Sequence, residues 1–236
     1  MGSTGLVNKP TSSVGKYTEF NSYVGSQKWM ANPDLTNSVE WQKGLTPEQY
    51  SAVQHYTGSG YVGINNAMYG KPWDQMTASE KQKASNLYEA INKFELKKGI
   101  TITRQCNTQI FGQPGMTMEQ IKSTLDKNGG YVQNDGFLSF STNNTGVAIN
   151  SSGVIIRLRV PPSKGAVAYV NPISLHKGST ENETIVNSNS VLKFDTGSMK
   201  QVGNKIYIEA DWVGQAKNQT IDPNNKSKFA KGKKKK

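Results

Sequence analysis

Two glutamates, Glu181 and Glu183, stand on either side of one asparagine, shortly before the apolar pair Ile185-Val186. Residues i and i+2 of a strand share one face, so the two carboxylates would repel each other unless a cation or a substrate used them. One interpretation is an ordinary acidic surface. The other is catalytic: one carboxylate stabilises a developing oxocarbenium-type sugar cation, and its neighbour orients or deprotonates an incoming nucleophile.

Arg104 is a second residue whose type could do chemistry, because the chain has 25 lysines but only three arginines. It shares strand parity with Ile100 and Ile102, on a face where an unpaired charge would be costly. A guanidinium fork matches phosphate oxygens bidentately, which lysine does less well. The position therefore predicts an anionic partner, either a structural ion pair or a phosphate.

The segment 136–142 offers hydroxyl groups. Strand alternation puts Ser139 and Ser141 on one face, and their hydroxyls can donate and accept hydrogen bonds without ionising. Phe140 between them points away and is expected to pack elsewhere. A solvated strand with alternating serines would have the same pattern, so this segment alone does not identify a site.

Metal and thiol chemistry are not indicated. One cysteine and two histidines, Cys106, His55 and His176, stand in unrelated contexts and supply no zinc ligand cluster. Cys106 has no neighbouring histidine to activate it and is expected to be a packed thiol. We expect no metal, and a single cysteine excludes an intramolecular disulfide.

The elements that must position these residues divide the chain in two. Three capping boxes, typical of helix starts, begin at Thr46, Thr77 and Thr117. The first helix is expected to stop near Gly58 and the second before Gly99, while the third is short and interrupts strand territory. After Gly99 the hydrophobic period changes from about 3.6 to 2.

Alternating apolar residues predict strands at 100–104, 154–160 and 205–213. A helical N-terminal half would then pack on a C-terminal half of mostly antiparallel strands. The fold class predicted is α+β.

The two ends differ from the body in composition. Residues 1–15 are predicted to be a disordered leader, 16–215 the folded domain, and 216–236 a disordered Lys-rich tail. Seven lysines between Lys226 and Lys236 account for much of the net charge of +11, leaving about +4 for the rest. No apolar run approaches the length of a membrane span.

Taken in chain order, Arg104, Ser139-x-Ser141 and Glu181-x-Glu183 resemble the R-S-E signature of the cholera-toxin-like mono-ADP-ribosyltransferases. Segments 45–50 and 56–65 also resemble the helix-turn segment that precedes the catalytic core in the binary actin-modifying toxins and related exoenzyme domains. The resemblance covers roughly residues 16–215. It implies a mixed, mostly antiparallel two-sheet core.

The resemblance also implies an activity and residue roles. NAD would be the substrate, cleaved with release of nicotinamide, and ADP-ribose would pass to a protein arginine. Glu183 would be the catalytic carboxylate supported by Ser139, Glu181 would select arginine as acceptor, and Arg104 would hold an NAD phosphate. The turn 174–180 would recognise the protein target. Further NAD-binding residues implied are Ser139, Ser141, Gln105, Tyr61 and Asn65.

Alternatives stay open. The same residues would serve an NAD glycohydrolase, and a non-catalytic, virion-associated or binding module could keep this fold with the basic tail as its working part. The Lys226 to Lys236 tail could attract a nucleic acid. The absence of a secretory signal and the scarcity of cysteine suit a protein acting in the cytoplasm of a host or target cell, carried in a phage particle or secreted by a non-classical route.

Overall fold

The computed structural model describes residues 17–70, 75–143, 147–148, 153–177 and 181–216. The predicted leader lies outside these residues, as does the Lys-rich tail apart from its first position. The last three residues of the predicted recognition turn also lie outside them.

The described α-helices gather in the N-terminal half, with one exception in the strand half. Three of them begin at the predicted capping boxes, where Thr46, Thr77 and Thr117 each accept a hydrogen bond from the backbone three residues on. The helices are α1 (Tyr23–Met30), α2 (Ser38–Lys43), α3 (Pro47–His55), α4 (Tyr61–Gly70), α5 (Ala78–Asn92) and α6 (Met118–Lys127). None of these helices is long and apolar enough to cross a membrane.

The predicted end of the first capped helix near Gly58 is only partly right. α3 ends at His55, but the chain stays helical through a π-turn, Tyr56–Gly60, and continues directly into α4. Gly58 alone leaves helical geometry, with φ −90° and ψ −132°. The glycine therefore kinks the helix where the sequence pattern indicated a stop.

The described strands form one long mixed sheet and one small ribbon. The long sheet has the order β3-β10-β11-β6-β2-β4-β9-β8, with β5 beside β2, and the ribbon pairs β1 with β7. Two pairings, β6 with β11 and β2 with β5, are parallel, and the other pairings are antiparallel. The bounds are β1 Glu95–Leu96, β2 Ile100–Cys106, β3 Tyr131–Asn134, β4 Leu138–Ser141, β5 Val147–Ala148, β6 Gly153–Val160, β7 Ser163–Lys164, β8 Val167–Tyr169, β9 Glu183–Val186, β10 Ser190–Val202 and β11 Lys205–Gln215. The α+β prediction is confirmed.

The long sheet is weakly joined at its centre. β2 and β4 share a single residue pair, Thr103 with Ser141, whereas β2 and β6 are paired along the whole of β2. The path therefore consists of a five-stranded part ending at β2 and a three-stranded part of β4, β9 and β8. These two parts are the counterpart of the predicted two-sheet core.

One hydrophobic core connects the helices with both parts of the sheet. Phe140, between the two serines of β4, is fully buried, as expected. Tyr56 contacts Phe137 edge to face, with ring centroids 5.7 Å apart. The helical layer thus packs directly against the strand that carries Ser139.

The capping box of α6 gives a stability prediction. Thr117→Ala should lower the free energy of unfolding by about 1 kcal/mol, because the backbone N–H of Gln120 loses its side-chain acceptor. Thr124→Ala in the same helix removes a hydroxyl that only bonds a helix carbonyl, so its effect should stay within about 0.5 kcal/mol. Urea unfolding of both variants measures the difference, and equal losses would contradict the cap.

Candidate active site

Glu183 is the first residue of β9 and a buried ionisable residue, with 6% of its surface exposed. Its carbonyl accepts from the backbone of Val170, and its strand pairs it with Ser141 of β4. The hydroxyls of Ser139 and Ser174 both hydrogen-bond to its carboxyl group. Three separate segments therefore fix one carboxylate.

Burial raises the pKa of Glu183 to about 7. The Ser139 hydroxyl, the Arg104 guanidinium and the Ser174 hydroxyl lower this pKa, while the charge of Glu181 raises it. Desolvation is the largest of these effects and acts against the ionised form. At neutral pH the protonated and ionised forms of the carboxyl group are therefore both populated, which is typical of groups at catalytic centres.

Arg104 braces the strand that carries Ser139. Its Nη1 donates to the Ser139 carbonyl oxygen at 2.5 Å. Its Nε is buried and has no hydrogen-bond partner among the described residues. Since a buried, unsatisfied guanidinium donor is costly, the side chain retains capacity for an anionic ligand.

The helical layer fixes the entry to β4 through backbone hydrogen bonds. Asn65 of α4 accepts from the Phe137 N–H at 3.0 Å and donates to the Phe137 carbonyl at 3.1 Å. The Tyr56 hydroxyl donates to the same carbonyl at 3.0 Å, and burial raises its pKa. A Cβ at Gly136 would lie 2.7 Å from the Tyr69 ring, so only glycine permits this close approach. We refer to Tyr56 of the π-turn together with Asn65 and Tyr69 of α4 as the α4 clamp.

The glutamate pair departs from the strand geometry expected. Asn182 between the glutamates has φ +47°, a left-handed conformation that interrupts the extended backbone. Glu181 therefore lies half-buried in a turn, and β9 begins only at Glu183. The prediction that both carboxylates share one strand face is wrong, because the left-handed residue resets the alternation of side chains.

The two serines of β4 have different partners. Ser139 contacts the Glu183 carboxyl group, as stated above. The Ser141 hydroxyl instead donates to the Glu181 carbonyl oxygen at 2.5 Å and accepts from the Asn143 N–H at 2.9 Å. Ser141 therefore holds the backbone of the glutamate turn.

Two further residues predicted to bind NAD, Gln105 and Tyr61, contact other side chains. Gln105 occupies the opposite face of β2 from Arg104, where Lys205 Nζ lies 3.5 Å from its amide oxygen. Tyr61 is 41% exposed and contacts Tyr56 edge to face, with centroids 6.3 Å apart. Cys106 is buried and burial raises its pKa, so it is a packed thiol.

Sequence reasoning missed three residues at the site. Ser174 donates to Glu183 and also accepts from the N–H of His176, whose side chain is exposed. Tyr56 and Asn182 are buried beside the cluster. Each lay in a segment that the sequence analysis had singled out: Tyr56 opens the segment that resembles the exoenzyme domains, Ser174 opens the predicted recognition turn, and Asn182 stands between the two glutamates. None of the three was itself predicted to be a site residue.

The assembled groups suit chemistry on a phosphorylated sugar. A buried carboxylate can stabilise a developing cation, a guanidinium can hold phosphate, and a second, more exposed carboxylate can meet an incoming group. No three His, Cys, Asp or Glu side chains gather as metal ligands within the described parts of the chain. The arrangement is therefore chemically suited to a transfer reaction on a phosphorylated sugar.

The family is shown by comparison with known proteins. Residues 32–216 match the model of the family described as ADP-ribosyltransferase exoenzyme. The chain belongs to that family.

Two relatives carry the name NAD(+)–arginine ADP-ribosyltransferase. One, from Enterobacteria phage T4, is 38% identical over 93 residues, which are 36% of this chain and 13% of the relative. The other, EFV from Enterococcus faecalis, is 27% identical over 157 residues, which are 65% of this chain and 30% of the relative. The chain thus spans less than a third of the length of either.

Solved structures of bacterial toxins share the fold. Plx2a, an ADP-ribosyltransferase toxin from Paenibacillus larvae, has a TM-score of 0.69 at 23% identity, covering 83% of this chain and 99% of that one. The C3 exoenzyme of Clostridium limosum has a TM-score of 0.66 at 19% identity, covering 83% and 97%. The mixed fold with a helical N-terminal part is therefore that of these toxins.

The raised pKa of Glu183 gives a prediction for stability. A native pKa of about 7 against an ordinary value of 4.5 means that the folded state binds more protons between these values, so stability falls as pH rises through them. Glu183→Gln removes the buried charge. Its Tm should match that of the wild type near pH 5 and exceed it at pH 8. The corresponding gain in the free energy of unfolding at pH 8 should be up to about 3 kcal/mol.

Thermal unfolding across this pH range measures the gap in Tm between the variant and the wild type. Glu40→Gln, at an exposed residue paired with Lys43, is the control and should show no such pH-dependent gap. A gap for Glu183→Gln that does not widen with pH would contradict the buried-charge assignment.

Proposed function

We propose that this chain is a mono-ADP-ribosyltransferase that cleaves NAD at the bond between nicotinamide and ribose and transfers ADP-ribose to a protein arginine. The observation that carries the proposal is the buried Glu183 carboxylate, bonded by Ser139 and Ser174 hydroxyls beside Arg104. Family membership and the names of the two relatives support it.

Glu183 acts on the bond that breaks. As nicotinamide leaves, positive charge develops on the ribose, and an ionised carboxylate beside it stabilises that charge more strongly than water would because the site is buried. The serine hydroxyls hold the carboxylate in place. Arg104 binds the diphosphate of NAD through its guanidinium, whose Nε lacks a partner among the described residues, with a geometry that lysine would not reproduce.

Glu181 acts on the acceptor. It is half-buried in the turn before β9, and its charge raises the pKa of Glu183. A carboxylate there orients a guanidinium and takes its proton as the guanidinium nitrogen bonds to the ribose carbon that nicotinamide leaves. The products are ADP-ribosyl-arginine, neutral nicotinamide and a proton.

The cellular compartment in which the chain acts is part of the proposal. A relative from a bacteriophage supports action in the cytoplasm of a bacterial host, with a host protein as the partner. Nucleic acid is not the substrate proposed for the site, and the Lys-rich tail lies outside the described residues.

Substitution of the two glutamates tests the proposal. Purified protein is incubated with labelled NAD, agmatine as a free guanidinium, and a bacterial lysate. Glu183→Gln should lower both nicotinamide release and label transfer by a factor of about 100 or more, because the amide keeps the size but loses the charge. Glu181→Gln should lose label transfer but keep nicotinamide release, and Glu40→Gln should behave as the wild type.

Each failure has a distinct meaning. Nicotinamide release without transfer by the wild type would identify an NAD glycohydrolase. If the wild type showed neither nicotinamide release nor label transfer, a non-catalytic binding module would be favoured. Equal loss of both activities in Glu181→Gln would contradict the division of roles between the glutamates.

The pH profile is a separate prediction. Because the ionised form of Glu183 is the active one and burial raises its pKa to about 7, nicotinamide release should rise with pH to a plateau, with a midpoint near pH 7. Glu181→Gln removes a charge that raises this pKa, so its midpoint should move to lower pH. A midpoint that stays unchanged in Glu181→Gln would show that the two carboxylates do not interact.

A further inference from the structure

Asn182, between the two glutamates, is a fully buried polar residue whose side chain is saturated with partners. Its Nδ2 donates to the Tyr23 carbonyl at 3.0 Å and to the Ser26 hydroxyl, and its Oδ1 accepts from the Tyr169 hydroxyl at 3.0 Å. Its own carbonyl accepts from the Thr142 N–H at 3.1 Å. Helix α1, β8 and the end of β4 therefore all meet at this one residue.

The backbone of Asn182 is what separates the two glutamates. A left-handed conformation costs an L-residue roughly 1 kcal/mol or more, although asparagine tolerates it better than most. Such a conformation persists where surrounding contacts hold it. Here it lets Glu183 begin a buried strand while Glu181 stays in a half-buried turn.

The contacts that hold Asn182 come partly from outside the matched family segment. Tyr23 and Ser26 belong to α1, which ends before the match begins at residue 32. Ser26 is itself fully buried, and its hydroxyl donates to the Tyr23 carbonyl. The first turn of α1 thus supplies two polar groups, the Tyr23 carbonyl and the Ser26 hydroxyl, that hold the turn between Glu181 and Glu183.

We propose that Asn182 is a positioning residue that, anchored on α1 and Tyr169, sets the place of Glu181 relative to Glu183. The inference rests on the proposed function, because it concerns how the acceptor glutamate is held against the catalytic one. It makes α1 part of the machinery for transfer: misplacing Glu181 by about 1 Å is enough to cost a large factor in rate.

Two matched glycine substitutions test the inference in the full chain. Asn182→Gly keeps a left-handed backbone accessible but removes the side-chain anchor. Asn189→Gly is the control, because Asn189 is also fully buried and left-handed, with φ +58°, but lies beyond the far end of β9. Ser26→Ala removes one anchor of Asn182 in α1 without changing any residue of the glutamate turn.

Steady-state kinetics separate positioning from general destabilisation. Asn182→Gly should lower kcat for transfer to agmatine about tenfold more than kcat for nicotinamide release, with KM for NAD within about twofold, since Arg104 is unchanged. Ser26→Ala should shift the same ratio in the same direction by a smaller factor. Asn189→Gly should leave the ratio of transfer to release at the wild-type value.

A carboxyl NMR titration of Glu183 provides a readout that needs no activity. In Asn182→Gly its pKa should move from about 7 towards the ordinary value, because the charge of Glu181, which raises this pKa, moves away from Glu183, while Asn189→Gly should leave it unchanged. An unchanged ratio and pKa in Asn182→Gly would overturn the inference. A pKa that moves in a protein whose wild type releases no nicotinamide would uphold the positioning and reject the proposed function.

Discussion

Keeping one carboxylate out of water is the constraint on which the site depends. An ionised glutamate at the burial of Glu183 is unfavourable unless hydrogen bonds and a counter-charge offset the lost hydration. Ser139, Ser174 and Arg104 supply these, from β4, from the loop after β8 and from β2. The three segments are far apart in sequence, so the fold has to converge on this carboxylate.

The weak joint in the long sheet is where that convergence happens. β2 and β4 separate after the pair of Thr103 with Ser141, which leaves the Arg104 side chain free to reach the Ser139 carbonyl. The α4 clamp then fixes the start of β4 by bonding both polar groups of Phe137. The helical layer therefore contributes to the site through the backbone, and a change in α4 would be transmitted to Ser139.

Local physics accounts for what the sequence predicted well. The capping boxes, the alternation of β2 and β6, and the parity of Arg104 with Ile100 all depend on neighbours within a few residues. Ser174 was missed because its contact with Glu183 depends on a loop whose course only tertiary packing decides. Gln105 is the opposite case. The resemblance implied that it binds NAD, but the alternation of side chains along β2 alone already puts it on the face away from Arg104.

A local rule failed at the residue with the largest consequence for the site. Treating Glu181 to Glu183 as regular strand predicts two equivalent carboxylates, whereas the left-handed Asn182 gives them different surroundings. Two carboxylates in different surroundings can take different roles in one reaction. The buried carboxylate of Glu183 is suited to stabilise the developing cation. The half-buried carboxylate of Glu181 is suited to meet a guanidinium that arrives from solvent. The proposed division of roles between the glutamates thus depends on the conformation of the asparagine between them.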